Sequence, residues 1–278
     1  MIRIVTDSSA DISARLASEL DITVVPLRVR VGRQMLRDGI DIDLSTFYRH
    51  MSEGVLSPTV EAPPHTEFHD VYSQLLEGAD QILSIHSSSS LNGSVLAAQE
   101  ATRAFLGRSK ITVVDSRMIS WGLALLAILA AQSAQRGDPA DEIVRLIRGT
   151  IPHIYMVFFT ENLEYFGRHS RRSRERWLSE GLSGLRPLLI IEDGRIVPLE
   201  RVRSRGKPVD RLFEFLGEFA HFEQAAVLQG RPSDEAQALF DQVTQAFPQK
   251  NLDLRAYGPA LAAYLGPDAV GIGVYEGT

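Results

Sequence analysis

Short runs of β-branched and aliphatic residues alternate with segments of helical periodicity, and that alternation admits few architectures besides a parallel α/β sheet. "IRIV" at Ile2–Val5, "ITVVPLRV" at Ile22–Val29, "QILSIH" at Gln81–His86, "KITVVDS" from Lys110 and "IYMVFFT" at Ile154–Thr160 read as strands, as do Ala225–Leu228 and the terminal "VGIGVYE". Between them, Ile12, Leu16 and Leu20 share a helical face, as do Phe68, Val71, Tyr72 and Leu75, and Val95, Ala98, Ala101 and Phe105. Helices are also expected at Leu44–Met51, Trp121–Gln135, Val209–Phe219 and Glu235–Phe247. Another holds Ile143, Leu146 and Ile147, with Asp138 and Pro139 as cap and first turn and Gly149 at its end. The polar stretch 32–43 carries no strand in this reading. "GVLSPTVEAPPHTEF" reads as an extended loop, because its three prolines oppose regular structure. "LRPLLIIEDGRIVPLERVRSR" reads as a hairpin turning at Asp193-Gly194.

The hairpin enters only after residue 150, so one α/β domain is expected over 1–150 and a second over 151–278. The chain has no cysteine, which excludes disulfides, thiolate metal sites and a cysteine nucleophile, and fits a reducing cytoplasm. Its first residues show no signal peptide. The apolar run Trp121–Ala131 is about half the length of a membrane span and reads as a buried helix. A net charge of −6 argues against a general nucleic-acid coat.

Three strand ends carry hydroxyl and acidic residues: Thr6–Ser9, Ser87–Ser94, and Asp115–Ser116 with Ser120 beyond. In a parallel sheet these ends face the same way, at the edge where ligands of open α/β sheets sit. Hydroxyls and helix amino ends there suit an anion, or simply form turns and caps. No nucleophile elbow, phosphate loop or dinucleotide fingerprint is present. His65 and His69 flank Glu67 in the wrong order for a zincin motif, so neither a metal nor another cofactor is expected. His86, Ser88 and Asp115 can be drawn as a triad without any spacing that demands one. Arg168, Arg171, Arg172, Arg174 and Arg176 crowd one segment, and Arg201, Arg203 and Arg205 share one face if extended. Such faces suit a carboxylate or phosphate, or are simply solvated.

The ordered set "IRIVTDSSADI", "SPTVEAPPHTEF", "ILSIHSSSSLNGSVLAAQEA", "ITVVDSRMISWG", "LEYFGRHSR", "LRPLLIIEDGRI" with "RVRSRGK", and "GPALAAYLGPDAVGIGVY" resembles the DegV family from end to end. The resemblance implies two α/β domains, the first with a mainly parallel sheet in three layers, the second a mixed sheet with helices on one side. It implies a long-chain fatty acid, or a similar amphiphile, held between the domains without catalysis, for presentation to a fatty acid kinase as in some members or for carriage in lipid metabolism. Its head-group positions fall on Ser88, Asn92, Gly93, Ser94, Arg171, Tyr264 and Val60, with Arg203 as the contact for a partner or acyl phosphate. Three depart from the family pattern: Val60 replaces a threonine, Asn92 a serine and Tyr264 a histidine. Asn92 and Tyr264 retain hydrogen-bond donors and Val60 does not. Glu61 would repel an anion if it faced the head group. A tail of about fourteen methylenes is worth roughly 11 kcal/mol by transfer, before ordering costs. Two other classes remain open: a hydrolase or small-molecule kinase relative using the strand-end Ser and Asp residues, and a degenerate member that binds only protein.

Overall fold

The computed structural model describes residues 1–53, 59–107, 109–160, 165–166, 185–203 and 208–277. The chain forms two compact units. The first comprises Met1–Leu44, Thr59–Pro152 and Asp193–Arg195; the second Ser45–Pro58, His153–Glu192 and Ile196–Thr278.

In the first unit, β1 (Ile2–Asp7), β2 (Ile22–Val25), β6 (Gln81–His86) and β7 (Lys110–Asp115) form a four-stranded parallel sheet in the order β2-β1-β6-β7. Helices α3 (His65–Leu76) and α4 (Ser94–Thr102) cover one face, where Phe68, Tyr72, Ala98 and Ala101 pack on Val5, Val25 and Ile82. Helix α5 (Trp121–Arg136) contacts β1 and β6 and carries α6 (Ala140–Thr150) beside it, which gives three layers. Nearly every residue of the first three turns of α5 is buried, as its apolar run requires. No helix among the described residues is long and apolar enough to cross a membrane.

The expected strand 22–29 is two strands. Pro26 has no N–H to donate, so the parallel pairing stops at Val25. The chain resumes as β3 (Arg28–Val31) in a separate antiparallel sheet, order β4-β3-β5. Strand β4 (Gln34–Arg37) lies in the stretch read as irregular, and β5 (Thr59–Glu61) in the proline-rich segment read as a loop. Both prolines that follow β5 lie outside its ladder. Pro64 is the N-cap of α3, which starts at His65. Asp138 does not cap α6: Pro139 is the N-cap, and the Asp138 carboxylate instead accepts from Ser133 Oγ at 2.5 Å. Gly149 is the penultimate residue of α6, which ends at Thr150.

The second unit has a six-stranded mixed sheet, order β10-β9-β8-β13-β11-β12. Its strands are β8 (Ile154–Phe159), β9 (Leu185–Glu192), β10 (Arg195–Arg203), β11 (Gln224–Gln229), β12 (Asn251–Ala256) and β13 (Val270–Tyr275). Helices α7 (Pro208–Gly217) and α8 (Asp234–Ala246) pack together on one face against Val157, Val227, Ile272 and Val274. The β9–β10 turn falls on Asp193 (φ 47°) and Gly194 (φ 75°), the pair of left-handed residues that a tight hairpin needs. Strand β12 and helix α9 (Pro259–Leu265) were not foreseen. "NLDLRA" alternates polar and apolar residues over a span too short to stand out, and α9 is buried almost all round, so it lacks a polar face. Helix α2 (Leu44–Ser52), from Ser45 on, also belongs to this unit, where Tyr48 donates to the Tyr257 carbonyl at 2.7 Å.

Candidate functional site

The register of the first sheet brings three strand ends to one rim. Asp7 closes β1, Ser87 and Ser88 follow β6, and Asp115 closes β7, opposite His86. Backbone bonds lace the rim loops: Ser116 N donates to His86 O (3.0 Å), Ser88 N to Met118 O (2.9 Å) and Ser120 N to Ser9 O (2.7 Å). Ser120 (φ 54°) and Arg117 (φ 52°) adopt backbone conformations that non-glycine residues rarely hold.

Asp7 is the hub. It is fully buried and accepts from Ser9 N (3.1 Å), Ser9 Oγ, Ser87 N (3.3 Å) and the ring of His86 (Nδ1 to Oδ2, 2.9 Å). Burial by itself would raise its pKa; the hydrogen bond from His86, with those from Ser9 and Ser87, outweighs it and holds the carboxyl below its ordinary range. His86 Nε2 lies 2.7 Å from Ser84 Oγ, and Tyr72 donates to that hydroxyl at 2.8 Å. Tyr72, Ser84 and His86 are all fully buried, and Phe68 packs edge-on against the imidazole. Burial pushes the Tyr72 phenol up, well above its ordinary range.

The other side of Asp7 leads to helix α4. Asn92 Nδ2 donates to Ser87 Oγ at 2.6 Å, and Asn92 Oδ1 accepts from Ser94 N at 2.9 Å. Its side chain thus caps the helix. Ser94 is fully buried at the first position of α4, and its hydroxyl has no hydrogen-bond partner among the described residues. Gly93 sits beside Ala62, where an added Cβ would lie 3.4 Å from the Ala62 methyl. Val60, half-buried in β5, pairs with Val29. Glu61 is engaged by Arg30 at 2.6 Å, which offsets the repulsion expected of it. At the start of the rim, Ser8 Oγ accepts from Leu27 N (3.0 Å) and donates to Asp38 (2.7 Å). Burial, with Asp7 adding its negative charge, leaves the Asp38 carboxyl pushed up to about 6 despite that bond.

The triad drawn from His86, Ser88 and Asp115 does not form. His86 turns to Asp7 and Ser84, Asp115 accepts from Ser89 Oγ (2.5 Å), and Ser88 Oγ donates to the Gly194 carbonyl (2.7 Å). A side chain at Gly194 would collide with that hydroxyl. Of the expected head-group residues, Ser88, Asn92, Gly93, Ser94 and Val60 lie in the first unit, with Ser88 and Asn92 occupied by internal bonds. Tyr264 belongs to α9 in the second unit, and burial pushes its phenol up to about 12. Arg171 and the rest of the arginine segment 168–176 lie outside the described residues, as does Arg205. Arg201 and Arg203 end β10, and their side chains are likewise outside the description. The relay of Tyr72, Ser84 and His86 escaped the sequence reading. Its signal is present, since Ser84 and His86 are i, i+2 polar residues on one face of an otherwise apolar strand.

A family model described as "Uncharacterised protein, DegV family" matches residues 1–277. The chain belongs to the DegV family. A DegV domain-containing protein of Caldanaerobacter subterraneus subsp. tengcongensis is 30% identical over 280 residues, covering 98% of this chain and 97% of the relative. A DegV family protein from Thermus thermophilus, described by its fatty acid binding, superposes with a TM-score of 0.89 at 27% identity and 99% coverage of both chains. DegV of Bacillus subtilis, described as a fatty acid binding protein, gives 0.89 at 25% identity and the same coverage. The two α/β units, with a parallel and a mixed sheet, are the fold of these DegV neighbours. Among the described residues no group of three or more His, Asp or Glu side chains gathers as a metal site.

Proposed function

We propose that this DegV protein binds a long-chain fatty acid in the cytoplasm without transforming it, and seats the carboxylate at the amino end of α4. The supporting observation is the Ser94 hydroxyl, fully buried at that helix end with no partner among the described residues. A buried donor without a partner is unfavourable, and an incoming oxygen relieves that. The helix amino end adds a partial positive charge. The two relatives described as fatty-acid-binding supply the ligand class. Burial of the hydrocarbon supplies most of the affinity, and the polar contacts select the head. The proposed partner is the catalytic subunit of a fatty acid kinase, with Arg203 as its contact.

The test is extraction of the protein purified from a bacterial host, followed by mass spectrometry, before and after loading with fatty acids of several lengths. One acyl chain per protein is expected. Ser94→Ala is expected to weaken binding by roughly 1.5–3 kcal/mol, the range for a hydrogen bond to a charged group. Absence of stoichiometric lipid after loading overturns the reading.

A further inference from the structure

The buried chain Tyr72–Ser84–His86–Asp7 has one assignment of protons that leaves no member unsatisfied. Tyr72 is buried, and Ser84 is its hydrogen-bond partner among the described residues, so the phenol must donate to Ser84 Oγ. Ser84 has one proton, and its remaining neighbour is His86 Nε2 at 2.7 Å. That nitrogen therefore accepts. The ring proton then sits on Nδ1 and points at Asp7 Oδ2, 2.9 Å away. An imidazolium would place a second N–H against Ser84, strand the serine proton and bury a cation. Asp7 does not need one, because Ser9 N, Ser9 Oγ and Ser87 N already surround it.

We infer that Ser84, with Tyr72 donating to it, is a positioning residue that gives its proton to His86 Nε2 and fixes the Nδ1–H tautomer against Asp7, the carboxylate that holds the donors at the amino end of α4. Asp7 only accepts, so directed bonds end on it from both sides. Asp7 holds the Ser87 backbone and hydroxyl, at 3.3 and 3.5 Å. Ser87 Oγ accepts from Asn92 Nδ2, which aims Asn92 Oδ1 at Ser94 N and leaves Ser94 Oγ as the donor for a ligand. The part that concerns the ligand rests on the proposed carboxylate seat; the tautomer does not.

Nitrogen-resolved NMR of the His86 ring in the lipid-stripped, full-length protein reads the tautomer directly. Wild type should show the ring proton on Nδ1, bonded to Asp7, with Nε2 accepting from Ser84. Tyr72→Phe leaves Nε2 as the acceptor of the Ser84 proton among the described residues, so that variant should keep the wild-type tautomer, whereas Ser84→Ala removes the donor to Nε2 and should shift the Nε2 resonance. A doubly protonated ring or the Nε2–H tautomer in wild type, or an unchanged Ser84→Ala spectrum, overturns the inference. Binding of palmitic acid and of hexadecanol supplies the second arm. Ser84→Ala should weaken the acid about tenfold and the alcohol less than about twofold, and His86→Asn, which keeps a donor near the Nδ1 position, should weaken the acid less than Ser84→Ala does. Equal losses for both ligands reduce the relay to scaffolding and overturn its head-group role. Failure of wild type to bind either ligand overturns the fatty acid reading and the head-group role together, while the ring spectrum still decides the tautomer.

Discussion

The two sheets handle buried polarity in opposite ways. Every buried polar residue described lies in the first unit except Thr160, whose hydroxyl donates to the Leu265 carbonyl. Most of those in the first unit gather where β1, β6 and β7 end. The second unit instead buries Val, Leu, Phe and Ala between its sheet and α7 and α8. Buried polar groups cost stability unless fully bonded, and an apolar layer gains it without geometric demands. The second unit therefore reads as a dry core whose function is to hold shape. The first has given up part of that gain for a set of oriented hydrogen-bonding groups.

Three measurements press on this contrast. Leu212 is fully buried in the α7–α8 layer, and Leu212→Ala should cost about 2–5 kcal/mol in denaturant unfolding. If the units differ as argued, the His86 ring spectrum stays unchanged in that variant. The next effect belongs to Asp38. Its carboxyl binds a proton more tightly folded (about 6) than unfolded, so its contribution to stability is complete below about pH 4 and is lost as pH rises through about 6. Asp38→Asn should accordingly be more stable than wild type at pH 7, by about 1–3 kcal/mol after allowing for partial exposure, and should match it near pH 4. Equal differences at the two pH values would remove the polar cost assigned to the rim. The smallest effect is at Ser94. Its hydroxyl has no bond to lose among the described residues, so Ser94→Ala should change the stability of ligand-free protein by less than about 0.5 kcal/mol, or raise it slightly. A large loss would show that the hydroxyl has a structural partner and is no ligand donor.

The rhythm of strands and helices was legible because β1, β6 and β7 are compact apolar runs, each with a helix after it. Legibility failed where tertiary context decides. Pro26 divides an apolar run that looks continuous in sequence, and β5 owes its existence to β3 beside it, since three residues carry no periodicity of their own. For the site, the strand-end pattern located Asp7, the Ser87–Ser94 turn and Asp115 on one rim. It did not reveal which donors are spent. Ser88 and Asn92 look alike as head-group ligands in sequence, yet one hydroxyl is bonded to Gly194 and the other side chain caps α4. Such choices depend on distances of a few tenths of an ångström between residues up to 106 positions apart, which no spacing encodes.

The backbone lacing among the Ser9, Ser88 and Ser116–Ser120 loops has a mechanical consequence. Segments more than a hundred positions apart along the chain are joined as a hoop, so none can peel away while the others stay. Amide hydrogens along that hoop would trade with solvent deuterium on one shared clock, and a guest arriving there would meet a stiff frame, not one that reshapes itself on contact.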